Sequence, residues 1–201
     1  MLSRVARRGF TLIEVLVGIT LVALLMALGV PAMRTFNQNN KIRSAAADYY
    51  SGLQTARAEA IRSNLPVEFV LTNATGAAAA PSIAGRNWVV RAIPPAPALA
   101  VLIDQKTGLE GEGNTTQSIA VNVAVSPVGF DGRIIFNGFG TPSAVPPNPV
   151  GPYSIDITNP ALGFCVPVGP ARCKRINVTA GGQITACDPA VAAATGDTRA
   201  C

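Results

Sequence analysis

The N-terminal sequence Arg7-Arg8-Gly9-Phe10-Thr11-Leu12-Ile13-Glu14-Val15-Leu16-Val17 places basic, apolar and acidic residues in a fixed order. The basic residues end at Arg8, and an apolar run then extends from Phe10 to about Val30. Glu14 is the one acid in this run. A helix of these 21 residues would measure about 30 Å, which matches the hydrocarbon core of a bilayer. We therefore predict a single-pass membrane anchor that carries the rest of the chain.

Charges and cysteines agree on the orientation of this anchor. Arg4, Arg7 and Arg8 precede the apolar run and would hold the N-terminus in the cytoplasm. The four cysteines lie in the last quarter of the chain without C-x-x-C spacing, so they predict two disulfides in an oxidising compartment. Both features place the C-terminal part outside the cytoplasm.

Two simpler interpretations of the apolar run are open. One is a secretory signal peptide, but the run exceeds the roughly 7–15 residues of a signal-peptide core, and an acid fits poorly there. The other is a plain anchor with an incidental acid. An acid at the bilayer centre costs about 2.5–3.5 kcal/mol, so such a residue usually has a function.

The composition favours a structural role over catalysis. The 201 residues include no histidine, which excludes Ser-His-Asp and Cys-His catalysis and most catalytic zinc sites. We therefore expect no enzymatic activity, no cofactor and no metal. The net charge is +5, but three of these charges come from the arginines before Phe10, and the remainder is too weak to argue for a nucleic-acid partner.

The residues from Arg8 to Glu14 resemble the class III leader of type IV pilins and type II secretion pseudopilins. The resemblance implies cleavage between Gly9 and Phe10 by prepilin peptidase and N-methylation of the new Phe10 amine. It also implies that Glu14 of one subunit neutralises the Phe10 amine of a neighbour and so sets the register of a filament, because a buried charge is tolerated only when paired. The implied location is the bacterial inner membrane, with a periplasmic C-terminal domain, and the extracellular pilus after assembly.

The helix is predicted to continue beyond the anchor, from about residue 10 to Ser63. Pro31 removes one backbone hydrogen bond and should kink it, and pilins carry a proline at the corresponding place. Farther along, apolar residues spaced four and three apart form one stripe, which predicts packing against a core. This stripe comprises Ile42, Ala46, Tyr49, Leu53, Ala56 and Ala60.

The stretch from Leu53 to Val67 resembles the helix-to-strand junction of the FimT/GspH family of minor pilins and pseudopilins. Members show a similar run, L-x-x-A-R-x-E-A-I-x-x-N-x-P-V, which major pilins lack. The resemblance implies an α+β type IV pilin fold, in which a long, kinked N-terminal helix packs on an antiparallel, β-rich head. The expected parts are a cleaved leader (1–9), a transmembrane or filament-core half of the helix (10–33) and a periplasmic head (34–201).

Hydrophobic alternation and turn residues predict the strands of the head. Strands are expected at residues 67–71, 86–93, 118–125, 132–136, 153–158, 175–180 and 183–185, with a short strand end at 101–103. The pair Gly181-Gly182 indicates a hairpin between the last two strands. Loops are expected at 72–85, 106–116 and 141–152.

Four cysteines allow three pairings, and the sequence alone does not choose among them. We favour Cys165–Cys173, across the turn between them, and Cys187–Cys201, which closes the C-terminal tail. The alternative joins Cys165 to Cys187 and Cys173 to Cys201, which would staple neighbouring strands. Free thiols or a metal site are the third interpretation.

Basic residues near the cysteines are the candidate DNA contacts, namely Arg172, Lys174, Arg175 and Arg199. Some FimT-type proteins bind DNA through a C-terminal Gly-Arg-x-Arg motif. The comparable hairpin here reads Gly182-Gln183-Ile184-Thr185 and lacks both arginines. A solvated charged surface is the simpler interpretation of the cluster.

These features together predict a non-enzymatic minor pilin of the FimT/GspH family. Its expected partners are other major and minor pilins, prepilin peptidase and the assembly platform of the inner membrane. It would act in the priming or tip complex of a type IV pilus, with adhesion, twitching or DNA uptake as associated roles. The alternatives are a type II secretion pseudopilin of the GspH type and a DNA-receptor pilin for natural transformation.

Overall fold

One long helix, α1 (Leu12–Ser63), occupies the first third of the chain in the computed structural model. The predicted helix is confirmed from Leu12 to Ser63, whereas Thr11 precedes it and residue 10 lies outside the described residues. The chain divides into two units, Met1–Asn37 and Gln38–Cys201. The structure describes residues 11–83, 85, 87–107, 120–122, 130–144, 151–159, 162–191 and 196–201.

Local hydrogen bonds and a left-handed residue end α1. The Ser63 hydroxyl donates to the Glu59 carbonyl at 2.7 Å, and the Leu65 N–H donates to Ser63 Oγ at 3.3 Å. Asn64 has a φ of 52°, a conformation that commonly follows the last helical residue. Pro66 cannot continue a helix. The helix therefore stops where the sequence predicts.

The apolar stripe of α1 forms the helical side of the core of the second unit. Each of its residues is at most 7% exposed, as predicted: Ile42, Ala46, Tyr49, Leu53, Ala56 and Ala60. Gly52 faces the same core, where a Cβ atom would come within 2.9 Å of the Phe69 ring. The absence of a side chain at Gly52 therefore lets the aromatic residues of the neighbouring strands approach the helix.

Eight strands follow the helix among the residues that the structure describes. They are β1 (Val67–Thr72), β2 (Asn87–Ala92), β3 (Val101–Lys106), β4 (Ala120–Asn122), β5 (Arg133–Phe136), β6 (Tyr153–Thr158), β7 (Lys174–Val178) and β8 (Ile184–Cys187). Among the described residues they form two antiparallel sheets, in the orders β3-β2-β1-β5 and β4-β6-β7-β8. The α+β class and the antiparallel head are confirmed, whereas the division into two sheets was not predicted.

Both sheets contribute to one hydrophobic core with α1. From the first sheet, Phe69 stacks on Trp88 with 5.7 Å between ring centroids and meets Tyr49 edge-on at 6.2 Å. Aromatic pairs of this kind add roughly 0.5–1.5 kcal/mol beyond the area that they bury. From the second sheet, Ile155 and Ile176 are fully buried in the same cluster. The core of the head is thus formed by residues of the helix and of both sheets.

The outer face of β1 is covered by the loop of residues 73–83. Glu68 is 3% exposed and forms an ion pair with Arg91, its neighbour across the β1–β2 ladder. The same guanidinium donates to the carbonyls of Ala77 at 2.6 Å and Ala79 at 2.9 Å. Arg91 therefore ties the covering loop to the sheet while it neutralises the buried acid.

The last hairpin turns at the predicted glycines. Gly182 has a φ of 79°, which side chains rarely adopt, and a Cβ atom there would collide with the Gly140 carbonyl oxygen. The Thr179 N–H donates to the Gln183 carbonyl at 2.9 Å and closes the turn. A glycine is therefore required both by the turn and by the neighbouring loop.

The structure differs from the prediction at β3. Only a short strand end at 101–103 was expected, but the strand continues to Lys106 and pairs with β2. Most of its residues are exposed, so it lacks the apolar alternation that reveals a strand in sequence. Of the strand expected at 118–125, β4 is described and the rest lies outside the described residues. The other strands lie within two residues of their predicted bounds.

Candidate assembly interface

The first turn of α1 is organised by Thr11. The Glu14 N–H donates to Thr11 Oγ1 at 3.3 Å, and the Val15 N–H donates to the Thr11 carbonyl at 3.3 Å. Thr11 is therefore the N-cap, and Glu14 occupies the acidic position of a T-x-x-E capping pattern. A carboxylate in the first turn of a helix is typically favoured by about 0.3–1 kcal/mol. The sequence prediction identified Glu14 and missed Thr11, although the T-x-x-E spacing signals this cap.

The helix after Glu14 exposes apolar side chains in every direction. Among the described residues of the first unit, the large apolar side chains between Leu12 and Phe36 are 43% to 79% exposed. At about 100° per residue, six of them leave only the side of Glu14 and Gly18 uncovered, and three residues farther along the helix lie on that side. The six are Leu12, Ile13, Val15, Leu16, Val17 and Ile19, and the three are Leu21, Val22 and Leu25. A helix that is apolar all round is normally buried. We therefore expect other molecules to bury the apolar side chains of this segment.

Among the residues that the structure describes, no helix combines the length and the apolarity needed to cross a membrane. The anchor predicted for residues 10–33 stays a prediction. The kink at Pro31 also stays a prediction, since the helical assignment continues through that residue. Gly9 and Phe10, the predicted cleavage residues, lie outside the described residues together with the rest of the leader.

Two disulfides join the four cysteines. Cys165 pairs with Cys173 and Cys187 pairs with Cys201, with Cα atoms 5.6 Å and 5.1 Å apart. This is the pairing favoured from the sequence, and no cysteine is left free. The described residues include no group of three or more potential metal ligands. The cysteines of the head therefore act as covalent cross-links.

The first disulfide closes a loop that rests on α1. Asn39 uses both groups of its side-chain amide: its Nδ2 donates to the Pro170 carbonyl at 3.2 Å, and its Oδ1 accepts from the Arg172 N–H at 2.7 Å. Inside the loop, the Val166 N–H donates to the Ala171 carbonyl at 2.9 Å. The hydrogen bonds of Asn39 therefore fix the loop to the helix, and the disulfide joins the two ends of the loop to each other.

The second disulfide holds the C-terminal tail against the end of β8. The Asp188 N–H donates to the Arg199 carbonyl at 2.7 Å, and Asp188 pairs with Ala200 in a parallel bridge. Lys174 Nζ lies 3.0 Å from Asp188 Oδ2. These contacts hold the tail beside the end of β8 through one isolated bridge.

Removing the second disulfide is expected to destabilise the head. Because the two cysteines are 14 residues apart, the double variant Cys187→Ser, Cys201→Ser should lose about 3 kcal/mol of unfolding free energy in the chain-entropy description. Urea denaturation of the full chain in detergent measures this change. The control Thr198→Ala alters an exposed side chain of the same tail and should leave stability unchanged. A loss below about 1 kcal/mol would show that the tail is held by its hydrogen bonds alone.

The candidate DNA contacts are mostly neutralised by acids. Arg175 forms two hydrogen bonds with Asp156, at 2.5 and 2.9 Å, and this interaction raises the pKa of the guanidinium. Arg199 donates to Asp197 at 2.6 Å and holds the pKa of that carboxyl down at about 2. Lys174 pairs with an acid as described above. DNA binding depends on cations that are available to phosphates, so these ion pairs weigh against it.

The structure does not bring the four basic residues to one surface. Lys174 and Arg199 line the same cleft. Arg175 follows Lys174 directly along β7. Because successive side chains of a strand point to opposite faces of the sheet, Arg175 lies on the face opposite to Lys174. Arg172 is exposed, and its side chain makes no ion pair within the described part of the chain. The DNA-contact role stays a prediction, which a gel shift at low and moderate salt would test.

Two protein-family models match this chain, one at its N-terminus and one over most of the head. Residues 4–30 match the model of the prokaryotic N-terminal methylation motif. Residues 45–182 match the model described as type II transport protein GspH. The chain belongs to the GspH family. The resemblance first noted between Leu53 and Val67 is thereby confirmed, and this GspH-family chain is a pilin or pseudopilin.

Solved structures similar to this GspH-family chain come from two kinds of assembly. The type IV minor pilin FimU of Pseudomonas aeruginosa has 16% identity and a TM-score of 0.42, over 72% of this chain and 90% of FimU. The minor pseudopilin EpsH from the type 2 secretion system of Vibrio cholerae has 13% identity and a TM-score of 0.47, over 75% of this chain and 99% of EpsH. A search of curated protein sequences finds no significant match.

Proposed function

We propose that this chain is a minor pilin that enters the priming or tip complex of a type IV pilus. The observation that carries the proposal is the exposed apolar helix whose first turn holds Glu14. Such a helix finds apolar surroundings inside a filament, and the methylation motif at residues 4–30 supports processing at its start. Adhesion, twitching and DNA uptake would be activities of the assembled pilus, and no catalytic role is proposed.

Before assembly the subunit would wait in the inner membrane with its head in the periplasm. The two disulfides of the head suit that oxidising compartment. The partners at this stage would be prepilin peptidase and the assembly platform, followed by other pilins. After carbonate washing of membranes, the mature chain should stay in the pellet. Its release into the supernatant would contradict the membrane anchor.

Processing would convert the N-terminus into an assembly device. Cleavage before Phe10 would remove the three arginines of the leader and create an amine close to Glu14. The Thr11 cap keeps the first turn formed, so the Glu14 carboxylate is presented on a rigid helix end. In the filament that carboxylate would pair with the Phe10 amine of a neighbouring subunit, which offsets the desolvation of both charges. The pair would fix the axial register of the subunits.

The Gly9→Ser variant is expected to keep its leader. The added hydroxymethyl group would block the peptidase at the residue before the cut, so the protein should carry the mass of nine extra residues. Intact-mass spectrometry of the membrane fraction measures this. The control Ser3→Ala changes the leader away from the cut and should be processed like the wild type. Mature mass in Gly9→Ser would contradict the proposed cleavage site.

The second candidate function is that of a type II secretion pseudopilin, which the description of the matching family favours. The two functions differ in where the protein is found. A pilus subunit should co-purify with sheared pili, and its deletion should reduce piliation. A pseudopilin should stay with the cell envelope, and its deletion should block protein secretion.

A further inference from the structure

A cleft of about 250 Å³ opens in the head between α1 and the end of the β7–β8 hairpin. Arg43 and Tyr50 of the helix form one wall, and Lys174, Cys187 and Arg199 form the other. Small-molecule pockets usually measure roughly 300–1,000 Å³, so this cleft is small for a cofactor. It has room for a side chain of a docking partner.

The cleft is preformed by rigid groups. Its apolar floor includes Ala46 and Cys187, which are each 7% exposed. The Gln54 side chain donates to the Tyr50 hydroxyl at 3.0 Å and holds that ring in place. The Cys187–Cys201 disulfide fixes the tail that carries Arg199. A ligand would therefore lose little binding free energy to the ordering of the site.

The charge of the cleft is positive. Three cations and one acid line it, and Lys174 pairs with that acid, Asp188, at 3.0 Å. Arg199 has its partner, Asp197, in its own loop. The Arg43 side chain makes no ion pair or hydrogen bond with any residue that the structure describes. Arg43 is thus an uncompensated cation at the edge of an apolar cleft.

A carboxylate fits this arrangement better than a nucleic acid does. A guanidinium binds the two oxygens of a carboxylate in a fixed, bidentate geometry. DNA binding draws its affinity from several phosphate contacts, each of which needs a cation. Here Lys174 and Arg199 already have acidic partners, which leaves Arg43 alone for a new anion. A single acidic side chain satisfies one cation.

We propose that this cleft binds an acidic side chain, flanked by apolar residues, from another subunit of the assembly. The carboxylate pairs with Arg43, and the flanking apolar residues lie on Ala46 and Tyr50. The source of the segment rests on the proposed assembly function. The binding itself is a property of the head and is measured without a filament.

The test uses the mature full chain in detergent micelles and two labelled peptides, acetyl-Leu-Glu-Leu-amide and its neutral match acetyl-Leu-Gln-Leu-amide. Fluorescence anisotropy should show about ten-fold tighter binding of the Glu peptide, the order expected for a hydrogen bond between charged groups. High salt should reduce this preference because it screens the charges. Equal affinity of the two peptides, or no binding of either, overturns the proposal.

Two variants, each with a matched control, test whether the Glu peptide binds in the cleft. Arg43→Gln should abolish the preference for the Glu peptide, whereas Arg62→Gln, which removes another exposed cation of α1, should keep it. Ala47→Glu places a carboxylate one helical turn from Arg43 and should also abolish the preference, while Ala47→Gln should not. A preference that survives in Arg43→Gln overturns the proposal. So does a DNA duplex that binds through Arg43 when the Glu peptide does not.

The peptide assay is independent of the pilus assay. If the chain is absent from sheared pili but the Glu peptide binds, the proposed filament function fails and the cleft proposal stands. If the peptides bind equally while filament assembly behaves as proposed, only the cleft proposal fails.

Discussion

The Glu14→Ala variant is expected to be processed normally and to be nearly absent from the filament. Without the carboxylate, the Phe10 amine of a neighbouring subunit would be buried without a partner. An uncompensated buried charge costs about 3–5 kcal/mol, which corresponds to a loss of more than about 100-fold in the assembly equilibrium. Immunoblots of sheared filaments and of membranes from the same cells measure the two pools.

Two further variants separate the charge of Glu14 from its place in the first turn. Glu14→Gln keeps the shape of the side chain and should fail like alanine, because it lacks the charge. Thr11→Ala removes the N-cap but keeps the acid, and should cost only about 1 kcal/mol of helix stability. Wild-type levels of Glu14→Gln in sheared filaments would contradict the proposed pairing.

The Arg91→Ala variant is expected to lose about 3–5 kcal/mol of unfolding free energy. Glu68 is buried in the central strand, and its Oε2 atom already has no hydrogen-bond partner among the described residues. Removal of Arg91 would leave both carboxylate oxygens unpaired. It would also remove the donor that holds the Ala77 and Ala79 carbonyls of the covering loop. Urea denaturation followed by circular dichroism measures the loss.

Matched variants distinguish the buried pair from an ordinary one. Arg62→Ala breaks the exposed pair with Glu59 and should leave the unfolding free energy nearly unchanged. The double variant Glu68→Leu, Arg91→Leu replaces the pair by apolar residues and should recover most of the stability lost in Arg91→Ala. If Arg91→Ala costs no more than Arg62→Ala, the pair does not hold the loop.

The helix and several strands could be predicted because their burial follows a simple period. The α1 stripe repeats at helical spacing, and β6 alternates buried and half-buried residues. An edge strand such as β3 has no buried face to reveal it. The separation into two sheets depends on long-range pairing, since β1 joins both β2 and the distant β5. Local sequence patterns carry no information about such partners.

The candidate site was predictable in the same uneven way. Glu14 stands out because an acid interrupts an apolar run, and its motif is local. The ion pairs of the basic residues were not predicted because Arg175 meets Asp156 only through the register of two strands. The burial of Glu68 and Arg91 was not predicted either, because it depends on the loop that covers their side of the sheet.

The contacts of Asn39 have a mechanical consequence for a subunit in a filament of the proposed kind. Its side chain makes two neighbouring hydrogen bonds, which hold the Cys165–Cys173 loop against the helix. Tension between the helix and the second sheet would load these bonds in parallel, so they must break together. The disulfide prevents the loop from lengthening under that load. We expect the contact between Asn39 and this loop to bear force when the subunit is pulled.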